Sequence, residues 1–378
     1  MTADNVGGAD LDGAVRDALA RRPDTAWVRD GLALFGWGVA NRIDPGTGAD
    51  RFDRALRRLR STTAPMAVAG FTFDESDPAS VVVVPRAVMR VDGDGARFVI
   101  GDESLVPPPA DPGILPAGNI VSGDTSSWDS LVGAALAAID ANEVEKVVLS
   151  RRVEALFDAP VPIPLVLSNL VSESAGSHTY LVDEFVGSSP ELLVSLEAGR
   201  VMSVSLAGSA DPHDPDSAGS LLSDKMTREH DLAADSVDLA LAPLCTSLER
   251  SERGVVAYGE IEHLSTAFEG TTLPGTTFAD LLAAMHPTAA VAGTPTKSAM
   301  ELIRELEGHK RGRYAGPVGW FDHDGDGEFA IALRCGLVDG ENVTLFAGGG
   351  IVQGSNPAEE LAETEIKLRP MKRALGLS

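Results

Sequence analysis

The sequence predicts an α+β fold, a single large domain over residues 1–378 in which mainly antiparallel strands are flanked by helices. Three observations predict it. Apolar runs of strand length follow one another with Gly, Asp and Asn turns between several of them, which is the pattern of hairpins rather than of strand–helix alternation. Helical periodicity is clearest in two longer segments. The Pro-rich stretches at 106–117 and 158–164 are loops too short and too apolar to act as domain linkers.

In chain order, strands are expected at 80–90, 96–100, 146–157, 191–205, 316–321, 328–338 and 343–352. "DGDG" at 92–95 and 324–327 and "DGEN" at 339–342 supply the φ > 0 positions of tight turns between several of them. A helix is expected over 223–249, capped by Ser223, with Leu232, Val237, Leu239, Leu241 and Leu244 as its apolar positions. A second runs from Pro357 to Leu375: Asn356 caps it, proline suits the first turn, and glutamates favour the positive end of the dipole. The segments from 68 and from 315 share an order of strand, turn, strand, turn, strand, which fits either ordinary hairpins or a duplicated sheet.

Composition excludes several classes. With 31 basic against 56 acidic residues, the formal charge of −25 repels a nucleic-acid backbone, so no nucleic-acid partner is expected. No apolar run approaches the roughly 20 residues of a membrane span, and residues 1–25 lack a signal-peptide pattern, so a cytoplasmic protein with no membrane partner is expected. Cys245 and Cys335 lie in apolar segments as free, buried thiols. No coiled-coil or swapping signal argues against a monomer.

"DHDGDGEF" places Asp322, Asp324 and Asp326 as a calcium loop would, but the twelfth position holds Leu333 instead of a bidentate glutamate, so it reads as a turn. The glycines at 348–350 have no following Lys-Ser/Thr and make no phosphate loop; they let a substrate or another backbone approach. Glu360, Glu363 and Lys367 share one helix face, as a solvated pair would or as one side of a hard-cation site completed by Glu229 of the other helix. Lys146 opens an apolar strand, where burial favours the neutral amine a general base needs, and Glu191 opens another, where burial favours a protonated acid.

Nine motifs carry a family resemblance in order: "KVVLSR" at 146, "GSSPELL" at 187, "SLAGSA" at 205, "SDKMTREH" at 223, "EHLSTAFEG" at 262, "HPTAAVAGTP" at 286, "YAGPVGWFD" at 314, "FAIALRC" at 329 and "AGGGIVQGSNPAEELAETEIKL" at 347. Together they resemble the chorismate-utilising enzymes, which include isochorismate, salicylate and anthranilate synthases. The likeness covers residues 140–378, the motif-bearing half, while residues 1–140 match only in general character. It implies two large, mainly antiparallel sheets packed face to face with helices outside.

The resemblance also implies roles. Members that use water as nucleophile have a lysine at the position of Lys146, where anthranilate synthases have glutamine. Lys146 as base and Glu191 as acid would convert chorismate reversibly to isochorismate, by water attack at C2 with loss of the C4 hydroxyl. Mg²⁺ would be held by Glu229 and Glu363, with Glu360 acting directly or through water. Tyr314 and Arg334 match the residues that hold the pyruvyl carboxylate; Gly208, Ser209, Gly348, Gly350 and Lys367 match the carboxylate-binding loops, and His263 the cavity wall. Ala290 stands where salicylate formers tend to carry threonine; salicylate synthase is the alternative reading. Met226 departs from the family, which commonly has an acid there, and one carboxylate fewer weakens the outer metal shell.

Overall fold

The computed structural model describes residues 8–123, 127–210, 221, 223–258 and 261–377, with the side chains of residues 8–11 and of Ser209 outside the description. The N-terminal part runs α1 (Gly8–Ala20), β1 (Thr25–Arg29), β2 (Leu32–Ile43), α2 (Arg51–Arg60), β3 (Met66–Gly70), β4 (Val81–Asp92), β5 (Gly95–Ile100), β6 (Gly118–Ser122) and α3 (Trp128–Asp140). The middle continues with β7 (Lys146–Phe157), α4 (Ile163–Glu173), β8 (His178–Val182), β9 (Phe185–Ser189), β10 (Leu192–Glu197), β11 (Arg200–Ala210), α5 (Asp224–Leu241), β12 (Cys245–Arg250), β13 (Gly254–Tyr258) and β14 (Ile261–Thr272). Then come α6 (Phe278–Met285), β15 (Gly293–Thr294), α7 (Thr296–Leu306), β16 (Pro317–Asp322), β17 (Gly327–Ile331), β18 (Cys335–Asp339), β19 (Asn342–Val352) and α8 (Pro357–Ala374).

Every pairing among these strands is antiparallel. One sheet follows the order β5–β4–β2–β1–β8–β9–β18–β19–β7, with β6 and β15 beyond β7. The other follows β3–β16–β17–β10–β11–β14, with β12 and β13 beyond β14. They are joined, because Val81–Val83 of β4 pair with β3 while the length of β4 pairs with β2. The main core lies between the two layers, where Tyr180 and Phe185 of one sheet meet Val194 and Phe329 of the other. Trp27 of β1 crosses the gap to donate from Nε1 to Glu328 Oε1 of β17 at 2.8 Å. A second core, with Phe35, Val153 and Leu345, sits between one sheet and the helices α1, α4 and α8.

Several sequence expectations are corrected. The run 191–205 is a hairpin, broken at Ala198 and Gly199, which both have positive φ. The run 328–338 divides at Arg334, whose φ of 48° turns the chain from one sheet to the other. The segment from 315 therefore holds four strands against three in the segment from 68, and the two segments meet directly where β3 pairs β16. The 223–249 helix stops at Leu241: Pro243 lacks an N–H, and Cys245–Arg250 join the sheet. Its buried face is Ala233, Ala234, Val237 and Leu241, while Leu239 is 78% exposed. Cys245 is half-buried rather than buried.

The expected caps are in place. Ser223 accepts from the Met226 N–H, and Asn356 accepts from the Ala358 and Glu359 N–H groups. Asp322 accepts from the N–H groups of Gly325 and Asp326, which makes "DHDGDGEF" the turn between β16 and β17. Among the described residues no helix is long and apolar enough to cross a membrane.

Candidate active site

A cavity lies where β7, β10, β11, β19, α5 and α8 converge, lined by Glu191, Gly208, Glu229, His263, Ala290, Tyr314, Arg334, Gly348, Gly350 and Lys367 among others. Lys146 is not part of this lining but lies against two of its members, Gly350 and Glu229. An ideal Cβ at Gly350 would fall 2.9 Å from Lys146 Cε and 2.1 Å from Glu229 Oε1, so glycine there makes room for both side chains. At Gly348 a Cβ would fall 2.9 Å from the Tyr314 hydroxyl. The two glycines thus act first as space for protein side chains, and the Gly348 carbonyl accepts from Lys367 Nζ at 2.9 Å.

Lys146 is wholly buried, and its Nζ lies 3.2 Å from Glu229 Oε1 without hydrogen-bond alignment to any group. Glu191 is buried at the head of β10, where it accepts from the Leu206 N–H at 3.3 Å. Burial pushes its carboxyl up to about 7, against the opposing pull of that N–H and of Lys146, Arg334 and Lys367. One carboxyl therefore sits beside three basic side chains and still titrates near neutral pH.

Gly208 forms the bulge at which β11 slips against β14, with φ of 72°. The bulge turns its carbonyl toward His263 Nδ1 at 2.9 Å. Nδ1 must carry the proton to meet a carbonyl, which leaves His263 Nε2 as acceptor toward Arg334 Nη2 at 3.4 Å. Burial, then the Arg334 charge, lowers the His263 pKa to about 3, consistent with a neutral ring. Ser209 pairs with His263 through its backbone, and its side chain lies outside the described residues. Tyr314 stacks on Phe346 with centroids 5.2 Å apart, and burial raises its pKa.

The three candidate metal carboxylates each face a lysine. Glu229 lies beside Lys146, Glu360 accepts from Lys225 Nζ at 2.7 Å, and Glu363 pairs with Lys367 at 2.7 Å. Among the described residues no three acids close to ligating distance of one another. Their charges nevertheless converge on Lys225: burial disfavours its ammonium, but Glu360, with Glu363 and Glu229 beyond it, holds its pKa above the ordinary lysine value. Burial and then the neighbouring Glu363 raise the Glu360 pKa. Carboxylates that repel one another and draw in an ammonium have the donor chemistry of a hard-cation site. Met226, in place of a further acid, instead packs its Sδ toward Gly208.

A buried clamp was not read from the sequence. Arg311 lines the cavity and donates to the Val291 carbonyl (2.8 Å), the Val148 carbonyl (2.6 Å) and Glu307, which also accepts from the Ser150 N–H at 2.6 Å. It locks β7 to the loop bearing Ala290. The only signal was an i,i+4 Glu–Arg spacing inside a Gly- and Lys-rich loop, where such a pair ordinarily reads as solvated.

A family model described as "Chorismate binding enzyme" matches residues 110–376. The chain belongs to the chorismate-binding enzyme family. Isochorismate synthase MenF of Bacillus subtilis (strain 168) is 38% identical over 265 residues, which span 67% of this chain and 56% of that protein. Isochorismate synthase DhbC of the same organism is 33% identical over 357 residues, 88% of this chain and 86% of that protein. The structure of the menaquinone-specific isochorismate synthase MenF from Escherichia coli superposes with a TM-score of 0.80 at 24% identity, covering 97% of this chain and 99% of that one. That likeness is one of fold.

Proposed function

We propose that this family member is an isochorismate synthase, converting chorismate to isochorismate. The observation that carries the reading is a cavity lined by Glu191, Arg334 and Lys367, with buried Lys146 directly behind its Gly350 and Glu229. Lys146 Nζ takes a proton from water as the water oxygen bonds to ring C2. The ring double bonds shift, and Glu191 gives its proton to the C4 hydroxyl as it leaves as water. Microscopic reversibility lets the same pair run the reaction backwards with roles exchanged.

Arg334 and the Tyr314 hydroxyl orient the pyruvyl carboxylate, and Lys367 lines the same cavity. We assign Glu229, Glu363 and Glu360 to hold Mg²⁺, whose charge offsets the ring carboxylate when bound. Lysine at position 146 favours water over ammonia as nucleophile, and the names of the B. subtilis relatives support the same branch.

Chromatography of the products from chorismate and Mg²⁺ tests the assignment, with isochorismate as the expected product. Salicylate accumulating strongly, read by its fluorescence without added lyase, would transfer the protein to the salicylate-forming branch. An amine product that requires ammonia would overturn the water mechanism.

A further inference from the structure

Lys225 and Glu229 stand one turn apart on α5, and Glu360 and Glu363 one turn apart on α8, so each pair shares a helix face. An ion pair links the two helices: Lys225 Nζ donates to Glu360 Oε1 at 2.7 Å. The other oxygen, Oε2, is turned to β19, where an ideal Cβ at Gly349 would fall 3.2 Å from it. Glu229 Oε1 lies against the next glycine, 2.1 Å from an ideal Cβ at Gly350. Two acids from different helices thus meet β19 at consecutive residues, and Lys225 holds an oxygen of one of them.

The partners of this ion pair differ in freedom. The Glu360 side chain is 1% exposed and that of Lys225 22%, so the carboxylate is fixed in the interior while the ammonium reaches it from the solvent side. Lysine carries its charge as a strongly hydrated point on a flexible four-carbon stem, and it can withdraw to water without stranding a buried donor. A divalent cation drawn to Glu360 meets that ammonium as a like charge in a buried site, where repulsion is only weakly screened. The ion pair and the metal therefore compete for one carboxylate.

We infer that Lys225 is a tethered competitor of the metal, and that Mg²⁺ takes Glu360 only when Lys225 yields it and swings toward solvent. The inference rests on the assignment of Glu229, Glu360 and Glu363 to Mg²⁺. Apparent affinity falls with the fraction of molecules in which Glu360 is released, so Lys225 sets the magnesium concentration at which the site fills without itself ligating the ion.

The test is calorimetric titration of Mg²⁺ alone into the full chain and into Lys225→Met, which keeps most of the stem and removes the charge. Mg²⁺ should bind the variant about tenfold more tightly, as when the competing ion pair holds about nine molecules in ten. Lys225→Arg, which retains a cation, should stay within about threefold of wild type. Lys225→Gln, which can still donate to Glu360, carries the same test if Lys225→Met does not fold. A charge acting from a distance would also favour the metal when removed, and Glu360→Gln separates the two effects: in that background the gain from Lys225→Met should drop below about twofold. Thermal unfolding in EDTA adds a readout that needs no turnover. Lys225→Met should melt below wild type, since Glu360 loses its counter-charge, and saturating Mg²⁺ should raise the melting temperature of the variant more than that of wild type.

Equal or weaker Mg²⁺ binding by Lys225→Met would overturn the competition, as would a gain that persists undiminished in the Glu360→Gln background. If neither protein takes up Mg²⁺, the metal assignment falls and the competition with it. Tighter binding by the variant of a protein that forms no isochorismate keeps the competition and refutes only the function.

Discussion

At Glu191, burial disfavours the charged carboxylate more than the Leu206 N–H and three nearby basic side chains favour it, so the group titrates at about 7 instead of the ordinary 4.5. In the proposed role of general acid it must be protonated, so kcat/KM should fall tenfold per pH unit above about 7. A profile without a break there would remove Glu191 from that role. Lys146→Ala and Glu191→Gln should each lower turnover by at least about 10³ with circular dichroism unchanged, and near-wild-type rates in either would break the acid–base assignment. The raised pKa is also a stability statement. Above pH 4.5 the unfolded chain releases this proton while the folded chain retains it until about 7, so stability is full below 4.5 and declines as pH rises through 7. Glu191→Gln should therefore be more stable than wild type by about 3 kcal/mol at pH 8 and close to it at pH 4, as read from urea unfolding.

At the scale of elements, the site depends on how β7 is held. Arg311 and Glu307 are buried together, and between them engage Val148 and Ser150 of β7 and Val291 of the loop beside Ala290. Arg311→Met should destabilise by about 3–5 kcal/mol because it strands Glu307 as an unpaired buried charge. Adding Glu307→Gln should recover part of that loss in thermal unfolding; no recovery would locate the effect in packing alone. The glycines of β19 work at the same scale: only a strand without Cβ atoms at 348 and 350 lets Tyr314, Glu229 and Lys146 approach from one side. "GGG" was visible in the sequence, but what it made room for was not, because those three side chains come from β7, α5 and the segment before β16.

Over the whole molecule, burial lowers the pKa of His230 to about 4 and of His263 and His286 to about 3. These rings are neutral when folded and take up protons near 6.5 when unfolded, so the unfolded chain binds more protons below 6.5 and stability falls as pH drops from there toward 3–4. The melting temperature should decline from pH 6.5 to 4, because the protons these three histidines take up on unfolding near pH 5 outnumber the one that Glu191 releases; a flat profile would place charged histidines in the folded core. The same scale explains what became of the expected sheets. Two were expected, and two layers are present, yet β4 makes them one hydrogen-bonded ladder because its Val81–Val83 end pairs a strand of the other layer.

Sequence alone determined the α+β class, the capped helix at 357–374, the turn at 322–326 and, through ordered motifs, the family and most of the cavity lining. These depend on local rules: periodicity, capping atoms, turn residues and the order of short segments along one chain. Tertiary structure alone decided that the run at 328–338 breaks at Arg334, that Arg311 is buried, and that each candidate metal carboxylate faces a lysine. Each is a relation between groups distant in the chain, set by which faces the folded sheets bring together, and no local pattern of residues encodes which faces will meet.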